Sequence, residues 1–130
     1  MPARALLTFG LLLALALPAC GRESDESKVR ATLDEFAQAT ARKDYQRLCD
    51  DLFAEKLVEQ VRRTVPCEVA LRNSSLEDAR SPKLVVRRVR ITGDTASAVV
   101  RTTAANQPPS EDTVQLVREG EEWRIVSLAS

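Results

Sequence analysis

Apolar residues recur along this chain in three rhythms, and each predicts a different element. From Lys28 to Ala41, the residues Val29, Leu33, Phe36, Ala37 and Thr40 follow one another at steps of four, three, one and three. That spacing makes one face of an amphipathic helix. Ser24, Asp25 and Glu26 supply a cap and negative charge at its positive end, and Lys43-Asp44 breaks the pattern. Asp44 is the expected N-cap of a short helix carrying Tyr45, Leu48, Cys49 and Leu52. A third helical stretch is expected from Phe53 to Arg63, with Phe53, Leu57, Val58 and Val61 inward, until Pro66 stops it. Cys67 to Leu71 opens another short element before the polar stretch Asn73 to Pro82.

Beyond residue 83 the rhythm shortens to alternation, rich in β-branched residues. Leu84–Thr92 and Thr95–Thr103 flank Gly93-Asp94, a two-residue hairpin turn. Thr113–Arg118 and Trp123–Leu128 flank a second turn at Glu119 to Glu122, and Asn106 to Ser110 is read as the loop between hairpins. The first turn sets Ile91 opposite Ala96, Val89 opposite Ala98, and Arg87 opposite Val100. Val85, Arg87, Val89 and Ile91 then share the core face, with Arg87 the one intruder. In the second hairpin Val114, Leu116, Trp123 and Ile125 share a face with Arg118. Arg118 lies opposite Trp123, where a cation–π contact of ~0.5–1 kcal/mol is expected. Val126 and Leu128, both apolar, leave the parity of the last strand open. Helices first and an antiparallel sheet second make an α+β layout, with helices packed on one face of at least four strands.

The third rhythm is an unbroken one. Arg4 precedes an apolar run from Ala5 to Leu17, interrupted only by Thr8 and Gly10, and 14 of the first 19 residues are hydrophobic. A run of that length, at ~1.5 Å per residue, falls short of a ~30 Å hydrocarbon core. A cationic start, a short apolar middle and a small-residue exit describe a secretory signal. Its exit, Leu17-Pro18-Ala19-Cys20, resembles the bacterial lipobox, in which the cysteine is lipidated and becomes the mature first residue. Residues 1–19 are therefore expected to be a lipoprotein signal peptide and 20–27 a polar tether. Residues 28–130 would be one domain, lipid-anchored at the extracytoplasmic face of the cell membrane. Plain secretion with a free Cys20 is the alternative.

Composition narrows the function by exclusion. The 130 residues hold 19 Lys plus Arg against 19 Asp plus Glu, and no histidine. The balance argues against a nucleic-acid binder, and without imidazole neither a Ser-His-Asp nor a Cys-His site can be assembled. Removing 1–19 leaves 18 cations and 19 anions, a net charge of −1. Cys49 and Cys67 are then the only cysteines besides Cys20, and an exported domain tends to oxidise an even pair. A redox or metal role is the sharper alternative, but the spacing is unlike CxxC and no further soft ligand remains to complete a site. No metal, cofactor or catalytic residue is expected.

The order of these pieces resembles the nuclear-transport-factor-2-like (SnoaL-like, cystatin-like) superfamily, and more closely its small actinobacterial lipoproteins. The matching pieces are the lipobox cysteine, the helix end Ala41-Arg42-Lys43-Asp44, and the cysteines in Leu48-Cys49-Asp50-Asp51-Leu52 and Pro66-Cys67-Glu68. Ile91-Thr92-Gly93-Asp94-Thr95-Ala96 and Leu116 to Ile125 complete them. The resemblance implies a curved sheet wrapping a helix into a cone, a fold that hosts enzymes and non-enzymes alike.

Two surfaces are candidates for binding. In the cone, Arg87 offers a planar fork for a carboxylate or phosphate, with Tyr45, Trp123 and Arg118 as further pocket candidates. Arg88, Arg90, Arg101 and Arg124 share the outer sheet face, a basic surface suited to an anionic envelope component or an acidic protein partner. Like charges on that face argue against self-pairing, so a monomer is expected. The acids, among them Glu111 and Asp112, are read into turns, and no carboxylate is placed on the core face. The expected function is a non-enzymatic binding or interaction module. The alternative is an isomerase, cyclase or hydrolase acting on a small hydrophobic molecule in the cone.

Overall fold

The structure, a computed structural model, describes residues 23–129. The expected signal peptide, the expected lipidation site Cys20 and the first residues of the expected tether lie outside the described residues. Helix α1 (Asp25–Arg42) opens the domain, with Ser24 as its N-cap accepting from the Ser27 backbone N–H at 3.1 Å. It starts three residues before the apolar periodicity does, because Asp25 and Glu26 belong to its first turn. Lys43 ends it in the left-handed conformation at φ 56°. Val29, Leu33, Phe36 and Thr40 are buried as expected, joined by Ala39.

Asp44 caps α2 (Tyr45–Arg47), its carboxylate accepting from the Arg47 N–H at 3.1 Å. The chain then widens into a π-turn over Leu48–Leu52, closed by Phe53 N–H donating to the Leu48 carbonyl at 2.9 Å. The extra residue lets Leu48, Cys49 and Leu52 all point inward while Asp50 and Asp51 face water. Phe53 is extended rather than helical, and α3 (Glu55–Arg62) begins two residues later than the periodicity suggests. The reason is tertiary: Phe53 bridges Ile125 in parallel, and Ala54 N–H donates to the Ile125 carbonyl at 2.7 Å. Helices α4 (Cys67–Arg72) and α5 (Ser75–Asp78) follow, the latter within the stretch read as polar loop. A disulfide joins Cys49 to Cys67, with Cα atoms 6.1 Å apart.

Strands β1 (Lys83–Thr92), β2 (Thr95–Ala104), β3 (Gln107–Glu119) and β4 (Glu122–Ala129) form one curved antiparallel meander in that order. Gly93 and Gly120, at φ 59° and 62°, supply the left-handed positions of the two tight turns. Ile91 pairs with Ala96 and Val89 with Ala98, as the first turn requires. Arg87 is a correction. A bulge between Val86 and Arg88 leaves it unpaired and exposed, and Val86 takes the place opposite Val100. One inserted residue reverses the parity of everything before it, so Leu84 and Val86 turn inward and Val85 outward. A second bulge, between Ile125 and Ser127, resolves the parity of β4: Ile125 sits opposite Leu116, and Leu128 opposite Val114. Strand β3 is six residues longer at its start than its apolar pattern indicates. Pro108 and Pro109 lie where the pairing with β2 breaks between Thr102 and Ala104, a place where a missing N–H costs no ladder bond.

Helix α1 lies on the concave face of this sheet. At the end bearing the two turns, Trp123, Ile125 and Leu116 fill the space beneath it, all nearly inaccessible to water. The opposite end is open.

Candidate functional site: the open end of the cone

The register sorts the concave face into rows. Ile91, Ala96, Leu116 and Ile125 form one row; Val89, Ala98, Val114 and Leu128 the next. Val86, Val100 and Asp112 follow, then Leu84, Thr102 and Ser110. Helix α1 ends before it covers these last rows, and α4 with α5 returns as a side wall. The space left between them is a cavity of about 490 Å³. Its wall is largely apolar, with Phe36, Leu71, Leu76, Leu84, Val100 and Val114 among its residues.

Several polar residues interrupt that wall, Ser74, Ser75, Lys83 and Gln107 among them, and two features stand out. Thr40, on the last turns of α1, is 5% exposed and its hydroxyl has no hydrogen-bond partner among the described residues. A buried hydroxyl left without a partner is costly, by about 1–3 kcal/mol. Across the cavity, the hydroxyls of Thr102 and Ser110 lie 2.6 Å apart, and Ser110 donates to Asp112 Oδ2 at 2.8 Å.

The side wall is fastened by charge. Tyr45 is buried, and its hydroxyl donates to the Glu77 carboxylate, which also pairs with Lys43 at 3.2 Å. Burial, reinforced by the hydrogen bond to Glu77, pushes the Tyr45 phenol up to about 12. The hydrogen bonds from Tyr45 and Lys43 hold the Glu77 carboxyl below its ordinary value. This cluster pins α5, and so Leu76, against the end of α1.

The closed end has its own lock. Arg118 stands opposite Trp123, its guanidinium 4.9 Å from the ring centroid, as the strand pairing predicts. Its Nη2 donates to Asp25 Oδ2 at 2.8 Å, and Trp123 Nε1 donates to Asp25 Oδ1 at 3.3 Å. These bonds, Arg118 first, hold the Asp25 carboxyl below the usual carboxylate range. Asp94 adds a charge contact to Arg118 at 3.3 Å. The start of α1 is thereby tied to both hairpin turns.

The four pocket residues expected from sequence are therefore not brought together around the cavity. Arg87 is outside on its bulge. Tyr45 supports the wall from behind, and Trp123 with Arg118 plugs the far end. Of the outer basic face, Arg88, Arg90 and Arg101 are exposed and make no ion pair among the described residues. Arg124 reaches the sheet edge instead, donating to the Asp50 carbonyl at 3.1 Å. A polar groove of about 470 Å³ beside Trp123 has its cations already engaged, Arg47 by Glu35 and Asp51 and Lys28 by Glu121. Among the described residues no cluster of acids and cysteines could hold a metal ion.

Thr40, Ser110 and Asp112 are the residues that sequence reasoning missed as a site. Thr40 is read there only as part of the helix's inward face. For the other two a signal exists: Ser110, Asp112, Val114 and Leu116 keep one alternation, and extending the buried parity back past Val114 places Asp112 on the concave face.

A helix held against a curved four-stranded meander, closed at one end and hollow at the other, is the NTF2-like architecture. The structure matches an NTF2-like protein of unknown function from Shewanella baltica OS155, with a TM-score of 0.58 and 16% identity over 79% of this chain and 89% of that one. An NTF-2-like protein of unknown function from Silicibacter pomeroyi DSS-3 matches with a TM-score of 0.56 and 18% identity, over 79% and 91%. A de novo designed NTF2-fold protein follows at 0.51 and 10%, over 82% and 87%. At these identities the likeness is one of fold. Residues 24–129 match the model of a family described as "Putative lumazine-binding", and the chain belongs to that family. No curated protein matches the sequence.

Proposed function

We propose that this protein is a lipid-anchored binding module of the bacterial cell envelope, holding a small, largely apolar molecule in the open end of its cone. The observation that carries this reading is the cavity itself: about 490 Å³, apolar along most of its wall, with the Thr102, Ser110 and Asp112 polar groups at its rim. Pockets for small molecules have this character, an apolar enclosure with a few placed polar groups. The family's description mentions lumazine, a polar heterocycle whose ring edge asks for several hydrogen bonds. The cavity wall beside α1 is mostly apolar, so a less polar ligand fits it better.

The address rests on the sequence. Leu17-Pro18-Ala19-Cys20 reads as a lipobox, and Ser24 already caps α1. With three residues between them, lipidated cysteine and cap would lie at most roughly 14 Å apart, keeping the module against the bilayer. Exposed Arg88, Arg90 and Arg101 would then offer an anionic envelope component or an acidic protein a place to rest.

The binding test is fluorescence titration of the purified chain with N-phenyl-1-naphthylamine, followed by competition with lumazine. Saturable one-to-one binding is expected, lost in Ala37→Trp, which fills the cavity, at an unchanged melting temperature. Unaltered binding in that variant, or competition by lumazine at stoichiometric concentration, would overturn the apolar-cavity reading. Mass spectrometry of the native amino terminus tests the anchor: a diacylglyceryl Cys20 is expected, and an unmodified Met1 would remove it.

A further inference from the structure

The cavity's rim specifies one end of its ligand. Asp112 belongs to a row of the concave face with Val86 and Val100, and Val114, two residues on, is 3% exposed. Asp112 itself is half-buried, and a carboxylate bordering an apolar face is favoured by a cation beside it. Among the described residues Asp112 has no ion-pair partner. Lys83, the other charged residue at the rim, pairs with Thr103 and so belongs by register to the opposite sheet face.

The two hydroxyls beside Asp112 are committed. Ser110 has a single proton and donates it to Asp112 Oδ2, so in its 2.6 Å contact with Thr102 it accepts, and Thr102 donates. Both protons run toward the carboxylate, and Asp112 Oδ1 is left with no donor among the described residues. At Asp112 the rim is thus a surface of lone pairs and negative charge bordering an apolar space, with Lys83 and Gln107 elsewhere along it. It favours a ligand group that donates and is positively charged, and it repels an anion.

We propose that the cavity holds an amphiphilic amine: its hydrocarbon body lies among Phe36, Leu76 and Val100, and its ammonium meets Asp112 at the rim. The inference rests on reading the cavity as a ligand site and adds the chemistry of the ligand's polar end.

Three probes of equal chain length test it: octylammonium, octanol and octanoate, each displacing N-phenyl-1-naphthylamine from the purified chain at pH 7. Octylammonium is expected to compete about tenfold or more better than octanoate, with octanol between them. In Asp112→Asn that preference collapses while octanol is unaffected. Asp112→Ser gives the same readout should the first variant fail to fold. Equal competition by all three, or an amine preference that survives in both variants, overturns the amine assignment and leaves the cavity reading intact. If the naphthylamine does not bind at all, the cavity reading falls, and this inference with it.

Discussion

Breaking the Cys49–Cys67 bond should remove a large share of this domain's stability. The bond closes a loop of sequence separation 18, from the π-turn after α2 to the first turn of α4. In the chain-entropy treatment, denying a loop of that length to the unfolded chain is worth about 3 kcal/mol at 25 °C. Small domains have only about 5–15 kcal/mol in all, so the melting temperature should fall by ~12–20 °C. Both cysteines are buried, so alanine variants would also lose packing. Reduction by a phosphine isolates the entropic part. Urea unfolding of the oxidised and reduced chains is the assay, with Cys49→Ala/Cys67→Ala as a third sample. The reduced chain should lose about 3 kcal/mol and show a steeper urea dependence, because its unfolded state exposes more surface. A loss under about 1 kcal/mol with an unchanged slope would refute the argument that the bond acts by restricting the unfolded chain.

Other changes follow from the two polar clusters. The Tyr45 phenol is raised to about 12 in the folded protein from an ordinary 10.0, so its contribution is complete below pH 10 and is lost as pH climbs toward 12. Melts of Tyr45→Phe should lack that alkaline fall and show a cost of about 1 kcal/mol at neutral pH, from the hydrogen bond to Glu77. Asp25 and Glu77 are lowered, so their contributions are present above the ordinary carboxylate range and disappear as pH falls through it. Asp25→Asn should flatten that acid limb, read by melting temperature between pH 2 and 6. Trp123→Ala should cost ~3–5 kcal/mol in urea unfolding, by emptying the closed end of the cone. Trp123→Phe, which keeps a ring beneath Arg118 while losing the bond to Asp25 and part of the indole's volume, should cost less.

What the sequence disclosed, and what it hid, divides by the range of the forces involved. The caps Ser24 and Asp44, the inward stripe of α1, both tight turns and the Arg118–Trp123 pairing are local or near-local, and each is written in adjacent residues. The disulfide could be argued because the export expected from the amino-terminal run and an even cysteine count left little else for it. Arg87 failed because a bulge is a tertiary adjustment: strict alternation put a guanidinium in the core, and the strand gained a residue that keeps it out. Phe53 lost its helical conformation to a partner 72 residues away. Asp112 was overlooked because Pro108-Pro109 resembles a loop, whereas the two prolines occupy a gap in pairing and the strand runs on through them. The apolar face of α1 was evident, but that one of its hydroxyls would border an unfilled space depends on where the helix stops relative to the sheet.

The short extended segment at Phe53-Ala54 has a bearing on how copies of this protein can meet. It pairs with the outer side of β4 at Ile125, near the middle of that strand, while along β1 the Arg87 bulge and the Arg30 guanidinium on the Val86 carbonyl disturb the line of free groups. Each border of the sheet thus carries an obstacle partway along it, and a second copy adding a strand to either one would have to pair around it.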